Sequence, residues 1–173
     1  MILTGSEILN QYRKGNLVID PFDPELINPN SYNYRLGNHY IEVNAVNPYK
    51  TKFDEEEYHI IPHQGLLLEP GKVYLSNTYE IIGSKSFVTS LIGRSSVGRL
   101  GLFLEISADL GNLGGAHKWT LELTCVQPIF IYPQMKIGQV SFWLPEGEIS
   151  FYYLGEYTNH NLPKYSNSKT LFK

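Results

Sequence analysis

Nine consecutive residues, Gly93 to Gly101 with the sequence GRSSVGRLG, hold two arginines, two serines and three glycines directly after an apolar run. Guanidinium forks, hydroxyl donors and glycine-exposed backbone N–H groups are the groups that grip a polyphosphate. The same residues also suit a helix-initiating turn with a serine cap and solvated arginines. Spacing alone leaves both readings open. It is not a Walker A loop, since no Gly-Lys-Ser or Gly-Lys-Thr follows, and not a dinucleotide fingerprint, since no βαβ pattern surrounds it.

A second chemical feature is Glu122, a lone carboxylate in the apolar run WTLELTCV at 119–126. Such a group is costly unless it is paired, functional or turned outward on a strand. Cys125, the only cysteine, lies in the same run and reads as a buried, inert thiol. One cysteine allows no internal disulfide and no thiolate cage, and the H-x-E and P-C-x-x-C motifs of zinc nucleobase deaminases are absent. Among the histidines, His59 and His63 flank a proline and read as solvated loop residues. His117 precedes the Glu122 strand and reads as a loop residue near the site. None is assigned a metal.

These groups need a frame to position them. Thr4 and Glu7 have capping-box spacing, with Ile8, Leu9 and Tyr12 at helical period behind them, which predicts a helix over 5–14. Beyond Gly15 the chain turns to short β-rich runs divided by Pro, Gly and Asn. Strands are predicted at 17–19, 32–36, 40–43, 65–68, 72–76, 86–92, 102–106, 120–126, 129–132 and 139–144. Many short strands and no second long amphipathic helix predict an all-β barrel or sandwich. Residues 21–29 and 44–57 read as surface loops, the acidic run Asp54 to Glu57 as a solvated face.

The chain has 173 residues, enough for one domain over 1–173. Strand alternation is lost from Ser150 on, so 150–173 is expected to be a mobile tail closing over the site. A net charge of -3 with mixed signs gives no field for holding nucleic acid, while a few arginines suffice for a small polyphosphate. The N-terminus has no signal-peptide pattern, and no apolar run reaches the roughly 18 residues needed to span a bilayer. A cytoplasmic protein without membrane partners is the expectation.

The motifs occur in a telling order. GRSSVGRLGL, then Ser107-Ala108, then LEL at 121–123, then YPQMKIGQ at 132–139, resemble the dCTP deaminase branch of the dUTPase-like trimeric β family. LVIDPFDPELINPNSYNYRLG at 17–37 is similar to that branch's N-terminal segment, and Lys164-Tyr165 to its tail. The resemblance implies a distorted β-barrel or jelly roll with a short N-terminal helix and one short helix after the GRSS motif. It also implies a homotrimer or hexamer with sites at subunit interfaces, a dCTP or dUTP ligand with Mg²⁺ carried by the triphosphate, no zinc, and dTTP as an inhibitor.

By position, the resemblance makes Arg94, Ser95, Ser96 and Arg99 triphosphate and base contacts and Glu122 the catalytic glutamate. Ser107 and Ala108 would contact the base and the attacking water, Tyr152 or Tyr153 the sugar or base, and Lys164 and Tyr165 the phosphates. The implied reaction is zinc-independent hydrolysis of dCTP to dUTP and ammonia, a C–N bond of a cyclic amidine being cut. Glu122 would act as general base, with Arg99 or Ser95 orienting the water or offsetting charge.

The pattern departs from the family in places. Asn112 stands where the family has an Asp that reaches the deoxyribose 3′-hydroxyl and helps activate water for diphosphate release. Asn can bond a hydroxyl but is no base. Leu110 fits neither the monofunctional nor the bifunctional subclass, Asn33 replaces an Asp, and Ser168 a tail Gln. These departures keep two alternatives: a dUTP/dNTP diphosphohydrolase or modified-pyrimidine nucleotide enzyme of the same fold, and a catalytically silent nucleotide-binding regulator.

Overall fold

The computed structural model describes residues 1–43, 58–104, 108–154 and 161–165. Helix α1 (Gly5–Arg13) leads into β1 (Leu17–Asp20), a 3-10 turn at Pro24–Leu26, β2 (Tyr32–Arg35), β3 (His39–Val43), β4 (His59–Ile60), β5 (Leu66–Leu68) and β6 (Val73–Asn77). Then come β7 (Ile81–Ser84), β8 (Val88–Gly93), α2 (Ser95–Gly98), β9 (Leu102–Leu104), β10 (Leu110–Gly111) and β11 (Ala116–His117). Last are β12 (Thr120–Cys125), β13 (Ile129–Ile131) and β14 (Lys136–Trp143). The sheets run β1-β7-β11, β10-β8-β14-β2, β4-β3-β6-β12-β9 and β13-β5. The mainly β reading with a short N-terminal helix holds, and the second short helix begins inside the GRSS motif rather than after it.

Alternation builds the core. In β12, Leu121, Leu123 and Cys125 turn inward, and in β8, Thr89 and Leu91 do so. All four sheets feed one buried cluster, which joins Ile19 and Ile82, Leu91 and Phe142, Leu123, and Ile131. Burying each such side chain contributes about 1.5–3 kcal/mol. Helix α1 docks through Ile8, fully buried, and through the Gly5 N–H donated to Pro29 O at 2.8 Å. No helix among the described residues is long and apolar enough to cross a membrane.

Several local expectations are corrected. The capping box does not form. Thr4 is the N-cap, but its hydroxyl meets Ser6 Oγ at 3.1 Å, and Glu7 turns forward to Gln11 and Asn10. Those two amides, Gln11 first, hold the Glu7 carboxyl below its ordinary range. The helix ends at Arg13, with Lys14 as C-cap.

Strand β7 lies outside the expected strands, and its Gly83 is a residue type that ordinarily weakens a strand. It is the centre of its sheet, and the backbone of Gly115 and Ala116 lies where a Cβ at Gly83 would stand. Strand β14 begins three residues earlier than expected, through a register shift between Lys136 and Gly138. Gly138 is bare because the Tyr34 ring fills the space of its side chain. The short strands β4, β10 and β11 also went unread. The 21–29 loop contains a 3-10 turn capped by Asp23, whose Oδ1 accepts from Glu25 N at 3.0 Å. The expected loop 44–57 with Asp54 to Glu57, and the end of the expected 102–106 strand, lie outside the described residues.

A buried ion pair ties β2 to the turn before β7. Glu80 is fully buried, and Arg35 gives it both Nε at 2.6 Å and its backbone N–H at 2.8 Å. A carboxylate so placed is tolerable because both oxygens are satisfied and the charge is neutralised.

Candidate active site

The short helix α2 converts GRSSVGRLG into one turn with Arg94 at the N-cap, where Val97 and Gly98 donate to Arg94 O at 3.0 and 2.9 Å. The segment is a helix-initiating turn, but its N-cap is Arg94 rather than a serine and makes no side-chain cap hydrogen bond. Val97 is the buried anchor, while Ser95, Ser96 and Arg99 are exposed and Arg94 is half-buried. The first N–H groups of such a turn have no partner within the helix. Gly101, in the left-handed region at φ 81, reverses the chain into β9 and gives its carbonyl to Val126 N at 2.9 Å.

Glu122 lies in the middle of β12, opposite Leu75 of β6. The period of two that sends Leu121 and Leu123 into the core sends Glu122 outward, and it is exposed. Of the three ways to accommodate a carboxylate in this run, the structure shows the outward-turned one. Hydrogen bonds and ion pairs among the described residues include none between Glu122 and Arg94, Ser95, Ser96 or Arg99.

A third group forms around the β10–β11 connection. Asp109 O accepts from Leu91 N at 2.8 Å and Asp109 Oδ2 from Ser90 Oγ at 3.1 Å, so the exposed Ala108 is held against β8. Asn112 is exposed on the following turn. Tyr153 N donates to Leu113 O at 2.9 Å, and Tyr152 Cβ covers Gly114, whose φ of 119 suits glycine. The structure thus brings Tyr152 and Tyr153 to the Asn112 turn, as the sequence pairing of sugar contacts would need.

The tail returns to β12 further on. Pro163 is buried, and Lys164 N donates to Thr120 Oγ1 at 3.3 Å, two residues from Glu122 on the same face. Ser107 lies outside the described residues. His117 is corrected from a loop residue to a buried member of β11, its ring tilted against that of Trp119 with centroids 4.4 Å apart and Nδ1 3.1 Å from Lys118 O. His59 lies in β4 rather than a loop, exposed as expected. Among the described residues no three His, Cys, Asp or Glu side chains gather as a metal site.

Two polar residues unread in the sequence organise this region. Thr78 Oγ1 accepts from Trp119 N at 2.9 Å and donates to Glu80 O at 2.7 Å, fixing the entry to β12. Asn77, buried at the end of β6, faces Thr120 in register. The only sequence signal was an amide closing a run of strand formers.

Comparison with known proteins decides the family. A family model described as dCTP deaminase-like matches residues 2–144. The chain belongs to the dCTP deaminase-like family. Within it, the chain is 47% identical over 161 residues to a protein of Clostridium botulinum (strain Eklund 17B / Type B) named dCTP deaminase, dUMP-forming, covering 93% of this chain and 92% of that one. A protein of the same name from Cytophaga hutchinsonii is 43% identical over 161 residues, with the same coverage. In fold, this dCTP deaminase-like chain is similar to a crystal structure of 2′-deoxycytidine 5′-triphosphate deaminase from Agrobacterium tumefaciens. The TM-score is 0.66 at 23% identity over 83% of this chain, which spans 48% of that protein's length. The dUTPase-like β architecture expected from the motifs is thereby shown.

Proposed function

We propose that the protein hydrolyses dCTP, taken as its Mg²⁺ complex, to dUMP, releasing ammonia and diphosphate. The observation that carries this reading is Glu122 on the outward face of β12, in a chain matched over nine-tenths of its length by relatives named dUMP-forming dCTP deaminases. Water attacks C4 of the cytosine while Glu122 takes one of its protons and passes it to N3. The remaining hydroxyl proton then goes by way of Glu122 to the amine, the C4–N bond breaks and C4=O forms, leaving ammonia and a uracil ring. Ser95 and Arg99 supply donors to the developing charge, and Arg94 and Ser96 hold phosphate oxygens. A second water then displaces diphosphate from the α-phosphate.

The site is shared between copies of the chain in a homotrimer or hexamer. Asn112 follows the Gly111–Thr89 pairing near the start of β8, whereas α2 follows its end. From Thr89 to Gly93 is four steps of strand, about 13 Å, so the two groups stand apart within one chain. A neighbouring copy covering β12 also shields Glu122 from bulk water.

A second reading stops at dUTP, and Asn112 favours it, since an amide cannot serve as the base for diphosphate release. The test is an assay of the full chain with dCTP and Mg²⁺, scored for ammonia, dUMP and pyrophosphate. All three are expected. Accumulating dUTP without pyrophosphate would select the second reading, and no ammonia would sink both. In Glu122→Gln, ammonia release should fall by roughly 10²-fold or more, with dCTP binding retained by calorimetry. Undiminished turnover would remove Glu122 from this role.

A further inference from the structure

Asn77 is 1% exposed, at the inner end of β6, where a strand residue would ordinarily be apolar. Its Nδ2 donates to Thr78 O at 3.1 Å and to Asn161 O at 3.2 Å, while its Oδ1, also buried, has no hydrogen-bond partner. A buried amide with half its capacity unspent is a poor core residue, so its worth lies in the donor. That donor serves the C-terminal segment, 84 residues away in sequence.

Asn161 answers with both of its carbonyl oxygens. Its backbone oxygen takes the Asn77 amide, and its side-chain Oδ1 accepts from Lys118 N at 3.1 Å. The platform is rigid at that point, because Thr78 N donates to Trp119 O and Trp119 N to Thr78 Oγ1, both at 2.9 Å. Three residues later Lys164 N reaches Thr120 Oγ1 at 3.3 Å. The segment is thus fastened at the ends of β6 and β12, on the face that carries Glu122.

We infer that Asn161 is a positioning residue: clasped by Asn77 and the Lys118 amide, it registers the C-terminal segment at the start of β12 and sets where Lys164 and Tyr165 stand relative to Glu122. The inference rests on the deaminase reading for the importance of that placement, and on the geometry alone for the latch. Asn161 is itself exposed, so its side chain can be changed without opening the core.

The test uses the full chain with Asn161→Ala and Asn161→Asp, the latter keeping an acceptor for Lys118 N. Loss of one hydrogen bond of ordinary net strength should speed trypsin cleavage after Lys164 roughly fivefold in Asn161→Ala, and Asn161→Asp should restore the wild-type rate. The KM for dCTP should rise by a similar factor in Asn161→Ala with kcat little changed, since the base is untouched. An unchanged cleavage rate would overturn the latch. Faster cleavage at unchanged KM, or a fall confined to kcat, would overturn the positioning role. Failure of the wild-type protein to release ammonia from dCTP would overturn the deaminase reading instead, because the trypsin ratio reports the latch independently.

Discussion

Asn112 concentrates the chemical question at the scale of single residues. It is exposed on a turn held by the tail through Tyr153 N and Leu113 O. An amide there can bond a sugar hydroxyl but cannot take a proton from water. Asn112→Asp should therefore raise pyrophosphate release from dUTP, by up to roughly 10²-fold if the new carboxylate works as a general base. An unchanged rate would show that the side chain at 112 takes no part in activating water. Cys125, by contrast, is confirmed as a core thiol. It is buried and free, and burial, with Glu69 adding to it, pushes its pKa up.

At the scale of elements, β7 shows how a strand can be required where propensity argues against it. Paired to β1 on one side and β11 on the other, it needs glycine at 83 because backbone atoms of Gly115 and Ala116 occupy the side-chain space. Backbone cannot swing aside as a flexible side chain can. Gly83→Val should cost about 1–3 kcal/mol or more by overpacking, read as a fall in chemical-denaturation stability. The same sheet holds Trp119, whose Nε1 donates to Ile82 O at 2.9 Å, so the entry to β12 should loosen with it. Full stability in the variant would mean that β11 does not lie on β7.

The whole molecule carries a pH limit in Tyr32. Its ring is fully buried, its hydroxyl accepts from Asp23 N at 3.0 Å, and burial pushes its pKa from 10.0 up to about 12, with Glu80 adding to the rise and the Asp23 bond opposing it. The folded state prefers the neutral phenol. Its stabilising contribution is complete below pH 10 and is lost as the pH climbs from about 10 to about 12, a loss on the order of 3 kcal/mol. The thermal midpoint of the wild type should fall more steeply over that range than that of Tyr32→Phe. Parallel curves would assign alkaline unfolding to other groups.

What was legible in the sequence follows from short-range rules. Apolar alternation marked most of the longer strands, and the crowding of Arg, Ser and Gly between 93 and 101 marked a place where chain and side chains are offered outward. Ordered motifs over nearly the whole chain marked the family. Tertiary structure decided the rest, because it depends on partners distant in sequence. Strand period set Glu122 opposite Leu121 and Leu123, but only the packing of those two leucines into the core made its face the outward one. Gly83 reads as a breaker until the backbone of β11 is laid against it. Asn77 and Asn161, 84 residues apart, reveal a purpose only as a pair, since the free energy of a hydrogen bond belongs to the contact and neither residue carries it alone.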